Sequence, residues 1–296
     1  MKEKILKYSF FLLSAAALLF MLLQSRNAGI NCDEVLHFNH SLAVYNFFIT
    51  EGKDTSALHT PETHLKYYGQ SYDNLAAFII KWAGIEDIYG FRHLMSSGAG
   101  WLTIFVAALL AVWLNGYGAG IIVILLFLIS PTFMGHAQNN LKDIPFALGY
   151  ISGIYFSLRL FYSDKTIPVS DTFLLMISLA LAMSIRAGGM LLICYLGLIC
   201  IIFYWIRFLR KNEINRNEMI IRLLVVISVS ILSFYISILL WPFALQNPVS
   251  NVMESFSKMS DFPATFRLIF EGKMEWSDQM PWYYLIKSMA ITLTLI

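Results

Sequence analysis

Residues 94–134 read LMSSGAGWLTIFVAALLAVWLNGYGAGIIVILLFLISPTFM, without one charged side chain. A bilayer's hydrocarbon core takes about 20 mostly apolar residues per helix, so this stretch is long enough to cross twice. Asn115, Gly116 and Tyr117 offer the place to turn, which gives spans at 94–114 and 118–134. In lipid every backbone N–H and C=O has to be satisfied inside the segment, and a helix does that. Working outward, the same reading finds spans at 8–24, 145–162, 171–186, 188–206, 222–242 and 283–296. The expected fold is an all-α polytopic membrane protein with about eight transmembrane helices.

Composition agrees. The chain of 296 residues is 58% hydrophobic and 14% charged, where a soluble domain is about a quarter charged. Its cysteines, Cys32, Cys194 and Cys200, have neither a disulfide framework nor zinc spacing. No small-x-small cleavage site follows the first span, so MKEKILK and the apolar run behind it read as an uncleaved anchor. The last span stays apolar to its end, IKSMAITLTLI, which suggests the front part of a longer chain.

Orientation follows from basic residues in short loops. RFLRKNEINRNEMIIR, residues 207–222, carries most of the weight and places the N-terminus inside. The segments 25–93 and 243–282 then become long outer loops. In the first, EVLHFNHSLAVYNFFITEG and YDNLAAFIIKWAG have apolar residues at helical spacing, as expected of amphipathic helices lying in the interface, with Trp82 at headgroup depth. No segment reads as a nucleic-acid surface, since orientation accounts for the basic inner loop.

This topology brings unusual polar groups to one side. Asp33 and Glu34 follow the first span; His136, Asn139, Asn140, Lys142 and Asp143 occupy a short outer turn; Arg186 lies at a later outer tip; Lys258, Arg267 and Lys273 lie in the last loop. An N-terminal helix cap explains Asp143 alone, or one carboxylate of the Asp33–Glu34 pair, but not both of that pair. Asp33 and His37 are spaced i, i+4 with His40 a turn beyond, and oxygen and imidazole together suit a divalent cation. No second cluster supports such a site, so no metal ligand is assigned. Carboxylates and cations beside lipid suit group transfer from a lipid-linked phosphate. A carboxylate takes the acceptor's proton, and cations hold charge on the departing phosphate. Asp33 or Glu34 is the candidate base. Lys142, Arg186, Lys258, Arg267 and Lys273 are candidates for the phosphate, with His37 and Tyr283 as further substrate contacts.

The motifs CDEVLHF, SPTFMGHAQNNLKDIPFALG and LALAMSIRAGGML occur in an order that resembles membrane glycosyltransferases of the GT-C superfamily, of the protein O-mannosyltransferase and aminoarabinose-transferase type (glycosyltransferase family 39). WPFALQNPVSNVMESFSKMSDFP and FEGKMEWSDQMPWYY look like the next outer loop of bacterial members. The resemblance implies an inverting transfer from a polyprenyl-phosphate sugar to a glycan, lipid or protein acceptor, at the periplasmic face of a bacterial plasma membrane. It makes Asp33 the base, with Glu34 and Asp143 shaping the site. Two other classes compete. A transporter or flippase would place ionisable groups near the midplane, where this chain has almost none; an inactive truncated paralogue or accessory subunit would tolerate loss of Asp33.

Overall fold

A computed structural model describes residues 2–60, 64–162, 167–210, 215–261 and 265–292. In order, the elements are α1 (Lys2–Gln24), α2 (Cys32–Ile49), α3 (Ser71–Ala83), α4 (Ile88–Leu128), α5 (Pro131–Asn139), α6 (Asp143–Tyr162), α7 (Val169–Ile185), α8 (Leu191–Leu209), α9 (Arg216–Ser237), α10 (Pro242–Gln246), α11 (Pro248–Ser260), β1 (Arg267–Phe270), β2 (Lys273–Trp276) and α12 (Tyr284–Thr292). The two strands form one antiparallel hairpin, Arg267 opposite Trp276.

The opening stretch is a helical hairpin. In a straight helix Ala108 and Gly120 would stand about 18 Å apart. A Cβ added to Gly120 would instead lie 3.1 Å from Ala108 O and 2.5 Å from Val112 Cγ2. The chain reverses at Asn115 (φ −148°, ψ 23°) and Gly116 (φ 80°, ψ 176°), the second a conformation that glycine adopts without strain. The limbs differ from the expected spans at both ends. The first begins at Ile88 and the second stops at Leu128, because Ser130 caps a new helix and Pro131 opens it.

Among the described residues five helical segments are long and apolar enough to cross a bilayer: Lys2–Asn27, Ile88–Leu128, Asp143–Tyr162, Ala187–Leu209 and Arg216–Ser237. The second contains two of the expected spans. The span expected at 171–186 is the shorter α7, of 17 residues. Of the span expected at 283–296, Tyr284–Thr292 forms a helix with no buried residue, and 293–296 lie outside the described residues. Length and composition of these segments are those of a helical membrane protein.

Small residues form the seams, as they do where lipid gives apolar side chains no reason to leave it. A Cβ on Gly149 of α6 would sit 3.1 Å from Ala182 Cβ of α7, and one on Gly153 would sit 2.5 Å from Leu192 Cδ2. Ser152 and Ser178 are buried nearby. Outward faces are apolar: on α9, Leu224, Ile227, Ile231 and Tyr235 are exposed. One end of the bundle is tied by Arg159 to Asp171 (2.7 Å), and by Arg222, which donates to Glu218 (3.0 Å) and to Leu160 O at the end of α6.

The other end carries the site. Helices α2 and α3 form where the amphipathic pattern puts them, and Phe38 packs between them against Ala77 and Ile80, while Trp82 is exposed. A strap, residues 64–70, enters α3. It is held from outside by α10 and α11 and by the turn before them: Tyr67 OH donates to Glu254 (3.0 Å) and Trp241 Nε1 to Lys66 O (2.8 Å).

Candidate functional site

The acidic pair opens α2, and the cap decides how it splits. Asn31 Oδ1 accepts from the backbone N–H of Asp33 and Glu34, both at 3.0 Å, while its Nδ2 donates to Asn139 O (2.8 Å). Asn139 Nδ2 returns a hydrogen bond to Gly29 O (2.7 Å). Successive helical residues point about 100° apart, so with this register fixed Asp33 and Glu34 face different surroundings. The Asp33 side chain is 62% exposed and that of Glu34 1%.

Glu34 belongs to a buried ionic cluster. Its Oε1 is 3.4 Å from Arg92 Nε and its Oε2 3.2 Å from His93 Nε2. Arg92 Nη2 also bonds Asp73 Oδ1 at 2.6 Å, and the guanidinium lies over the Phe38 ring at 5.2 Å. One arginine, almost wholly buried, thus joins α2, α3 and α4.

Asp33 faces the cavity with Lys142. Lys142 Nζ is 3.4 Å from Asp33 Oδ2 and 3.2 Å from His37 Nε2, and it sits 5.8 Å from the centre of the Tyr68 ring. His37 Nδ1 is 2.7 Å from Gln70 Oε1. Gln70 holds φ 35°, ψ 39°, a left-handed conformation uncommon outside glycine and concentrated at functional sites. Burial, against the smaller opposing pull of Asp73, lowers the His37 pKa below the ordinary histidine value. His40, one turn on, is pushed down to about 4 by burial and then by His37.

Asp143 starts α6, but the capping oxygen is that of Asn140, which accepts from Lys142 N (3.1 Å) and Asp143 N (2.8 Å). The capping explanation of Asp143 is therefore corrected. Its own carboxylate accepts from Asn140 Nδ2 at 3.0 Å and pairs with Arg186 Nη2 at 2.5 Å. Arg186 stands in extended conformation just beyond α7. Tyr68 lies half-buried near both partners, and burial raises its phenol pKa, with Arg186 opposing.

A cavity of about 580 Å³ opens here, lined by Asp33, Glu34, His37, Asp73, Arg92, His136, Lys142 and Asp143 among others. Of the residues singled out in the sequence, the structure brings together Asp33, Glu34, His37, Lys142 and Asp143, with Arg186 bonded to the last. It leaves Lys258 exposed on α11, Arg267 and Lys273 exposed on the β-hairpin, and Tyr283 against Phe270; none of these four lines the cavity. Arg92, His93, Asp73 and Gln70 escaped the sequence reading. The usable signal was Arg92–His93, a basic pair opening an otherwise apolar helix.

Among the described residues no group of three or more His, Cys, Asp or Glu side chains is arranged to hold a metal ion. Both His37 ring nitrogens are engaged, and His40 Nδ1 is buried without a partner. An open carboxylate beside an ammonium can accept a proton from a hydroxyl while the cation faces an anionic group. Comparison with protein-family models, curated proteins and solved structures finds no match to this chain.

Proposed function

We propose that this protein is a membrane glycosyltransferase that moves a sugar from a polyprenyl-phosphate donor to an acceptor hydroxyl. The observation that carries the reading is the exposed Asp33 carboxylate, 3.4 Å from the Lys142 ammonium, in a cavity that several ionisable side chains line at one end of a membrane-embedded bundle. A donor with its tail in lipid presents its phosphate at that depth. The acceptor oxygen attacks the anomeric carbon, and the bond from that carbon to the phosphate oxygen breaks. The polyprenyl phosphate leaves with the electron pair, and Asp33 takes the acceptor's proton. Lys142 and Arg186 offset the charge on the phosphate. One displacement inverts the anomeric configuration. The basic loop 207–222 favours a cytoplasmic position for the opposite end of the bundle, which has the cavity open at the outer face; the resemblance to bacterial glycosyltransferases supports a bacterial plasma membrane.

The experiment compares lipid-linked sugars and surface glycans by mass spectrometry in three strains: one lacking the gene, one complemented with the wild type and one with Asp33→Asn. The expected result is a glycan missing one sugar and an accumulated donor in the null strain, restored by the wild type alone. Full restoration by an inserted, expressed Asp33→Asn protein would overturn the proposed chemistry.

A further inference from the structure

The hydrogen bonds beneath the cavity have a direction that backbone atoms determine. Asn74 Nδ2 lies 3.0 Å from Gly69 O and 2.9 Å from Leu240 O, both of which can only accept, so Asn74 Oδ1 is the amide's acceptor. Gln70 Nε2 lies 3.4 Å from that oxygen, 2.9 Å from Ser41 Oγ and 3.1 Å from His37 O, another backbone acceptor. The Gln70 amide is fixed: Nε2 donates and Oε1 accepts. That Oε1 stands 2.7 Å from His37 Nδ1, so Nδ1 carries the ring proton. A neutral imidazole then has its lone pair on Nε2. The atom facing it, at 3.2 Å, is Lys142 Nζ, which as an ammonium only donates.

We infer that His37 is a positioning residue whose Nε2 lone pair holds the Lys142 ammonium at the cavity edge beside Asp33. The inference rests on the glycosyltransferase reading only in giving that cation a phosphate to meet; the hydrogen bond itself does not depend on it. Protonation of His37 removes the lone pair and sets two cations against each other. The groups facing the ring are Lys142 from the turn before α6, Asp73 from α3, Gln70 and Tyr68 from the strap, and Asp33 and His40 from α2 itself. Burial is the largest influence, and with Lys142 it disfavours the proton; Asp73, Gln70 and Asp33 favour it; the balance lies on the neutral side. The ring holds Lys142 at neutral pH and releases it in acid. Lys142 is left with the Asp33 carboxylate as its partner, which makes that carboxylate a poorer base.

The test uses the full chain in nanodiscs with ¹⁵N-labelled histidine, the His37 signals assigned by their loss in His37→Gln. In the wild type the expected spectrum is the Nδ1–H tautomer with a titration midpoint below 6.5. Lys142→Met removes the neighbouring cation and should raise that midpoint. The Nε2–H tautomer, or an unmoved midpoint in Lys142→Met, overturns the inference. The second readout is the pH profile of sugar transfer. In His37→Gln an amide oxygen that does not titrate replaces Nε2, so the variant should stay active and its acid limb should move to lower pH. His37→Phe should fall about tenfold at neutral pH, the value of one hydrogen bond to a charged group, and approach the wild type in acid, where the wild type has released Lys142 as well. An unchanged acid limb in His37→Gln overturns the inference. If the wild type transfers no sugar, the glycosyltransferase reading fails by itself and the spectra still decide the role of His37.

Discussion

Arg92→Met takes one cation from between two carboxylates and leaves Glu34 and Asp73 buried without it. The ion pairs it breaks span 3.4 Å and 2.6 Å, between side chains that are each 1–2% exposed. In an effective dielectric of about 20 these separations correspond to about 5 and about 6 kcal/mol of attraction, but desolvation has already consumed most of that. Removing one partner of a buried pair costs about 3–5 kcal/mol, whereas replacing the whole group by neutral residues is close to neutral. At about 2–4 °C per kcal/mol, the unfolding midpoint should fall by about 10 °C. The assay is thermal unfolding of the purified chain in detergent, followed by size-exclusion chromatography. The partner variant is Arg92→Met with Glu34→Gln and Asp73→Asn, which should recover more than half of the loss. A fall under about 2 °C, or a triple variant no more stable than the single, would refute the reasoning that these charges sustain one another.

Three further outcomes are expected. His40 is held neutral in the fold down to about pH 4 while the unfolded chain protonates near 6.5. Stability should therefore drop as pH falls between those values, by about 3 kcal/mol in all, and His40→Leu should flatten unfolding midpoints measured from pH 7 to pH 4. Cys32 is exposed at the cavity, Cys200 is buried, and Cys194 is exposed on the apolar α8. A membrane-impermeant maleimide should label Cys32 in intact cells and not Cys32→Ser; labelling only after lysis would reverse the orientation. A Cβ on Gly69 would collide with Ser184 O, so Gly69→Ala should shift the strap bearing Tyr68 and Gln70, cutting transfer activity far more than it lowers the yield of inserted protein.

How much of this was legible depended on the distance over which residues speak to one another. The hairpin limbs, α2 and α3 come from local patterns: uninterrupted apolar runs, a turn at Asn115–Gly116, and apolar spacing from Val35 to Phe48. Asp33, Lys142, Asp143 and Arg186 were legible because each marks a helix end on the same side. Arg92 meets Glu34 across 58 positions and Asp73 across 19, and nothing in FRHLM announces those partners. Nor does the letter Q at position 70 disclose a left-handed backbone. Lys258, Arg267 and Lys273 share the side of the site but not its neighbourhood. Charge suggests a side, whereas proximity depends on how α10 and α11 lean on the strap.

The reversal at Asn115–Gly116 also bears on how the chain enters a membrane. Its turn has no charge, so it offers the insertion machinery no signal about which way to face. The limbs bury against each other at Ala108, Val112 and Gly120, so any directional signal has to come from outside them, such as the lysines in the first turns of α1. They should enter as a couple, the first waiting on the second. In a nascent chain halted at Leu114, which α1 already anchors, the limb after Ile88 is expected to stay open to added protease, and in one that extends past Leu128 to be protected.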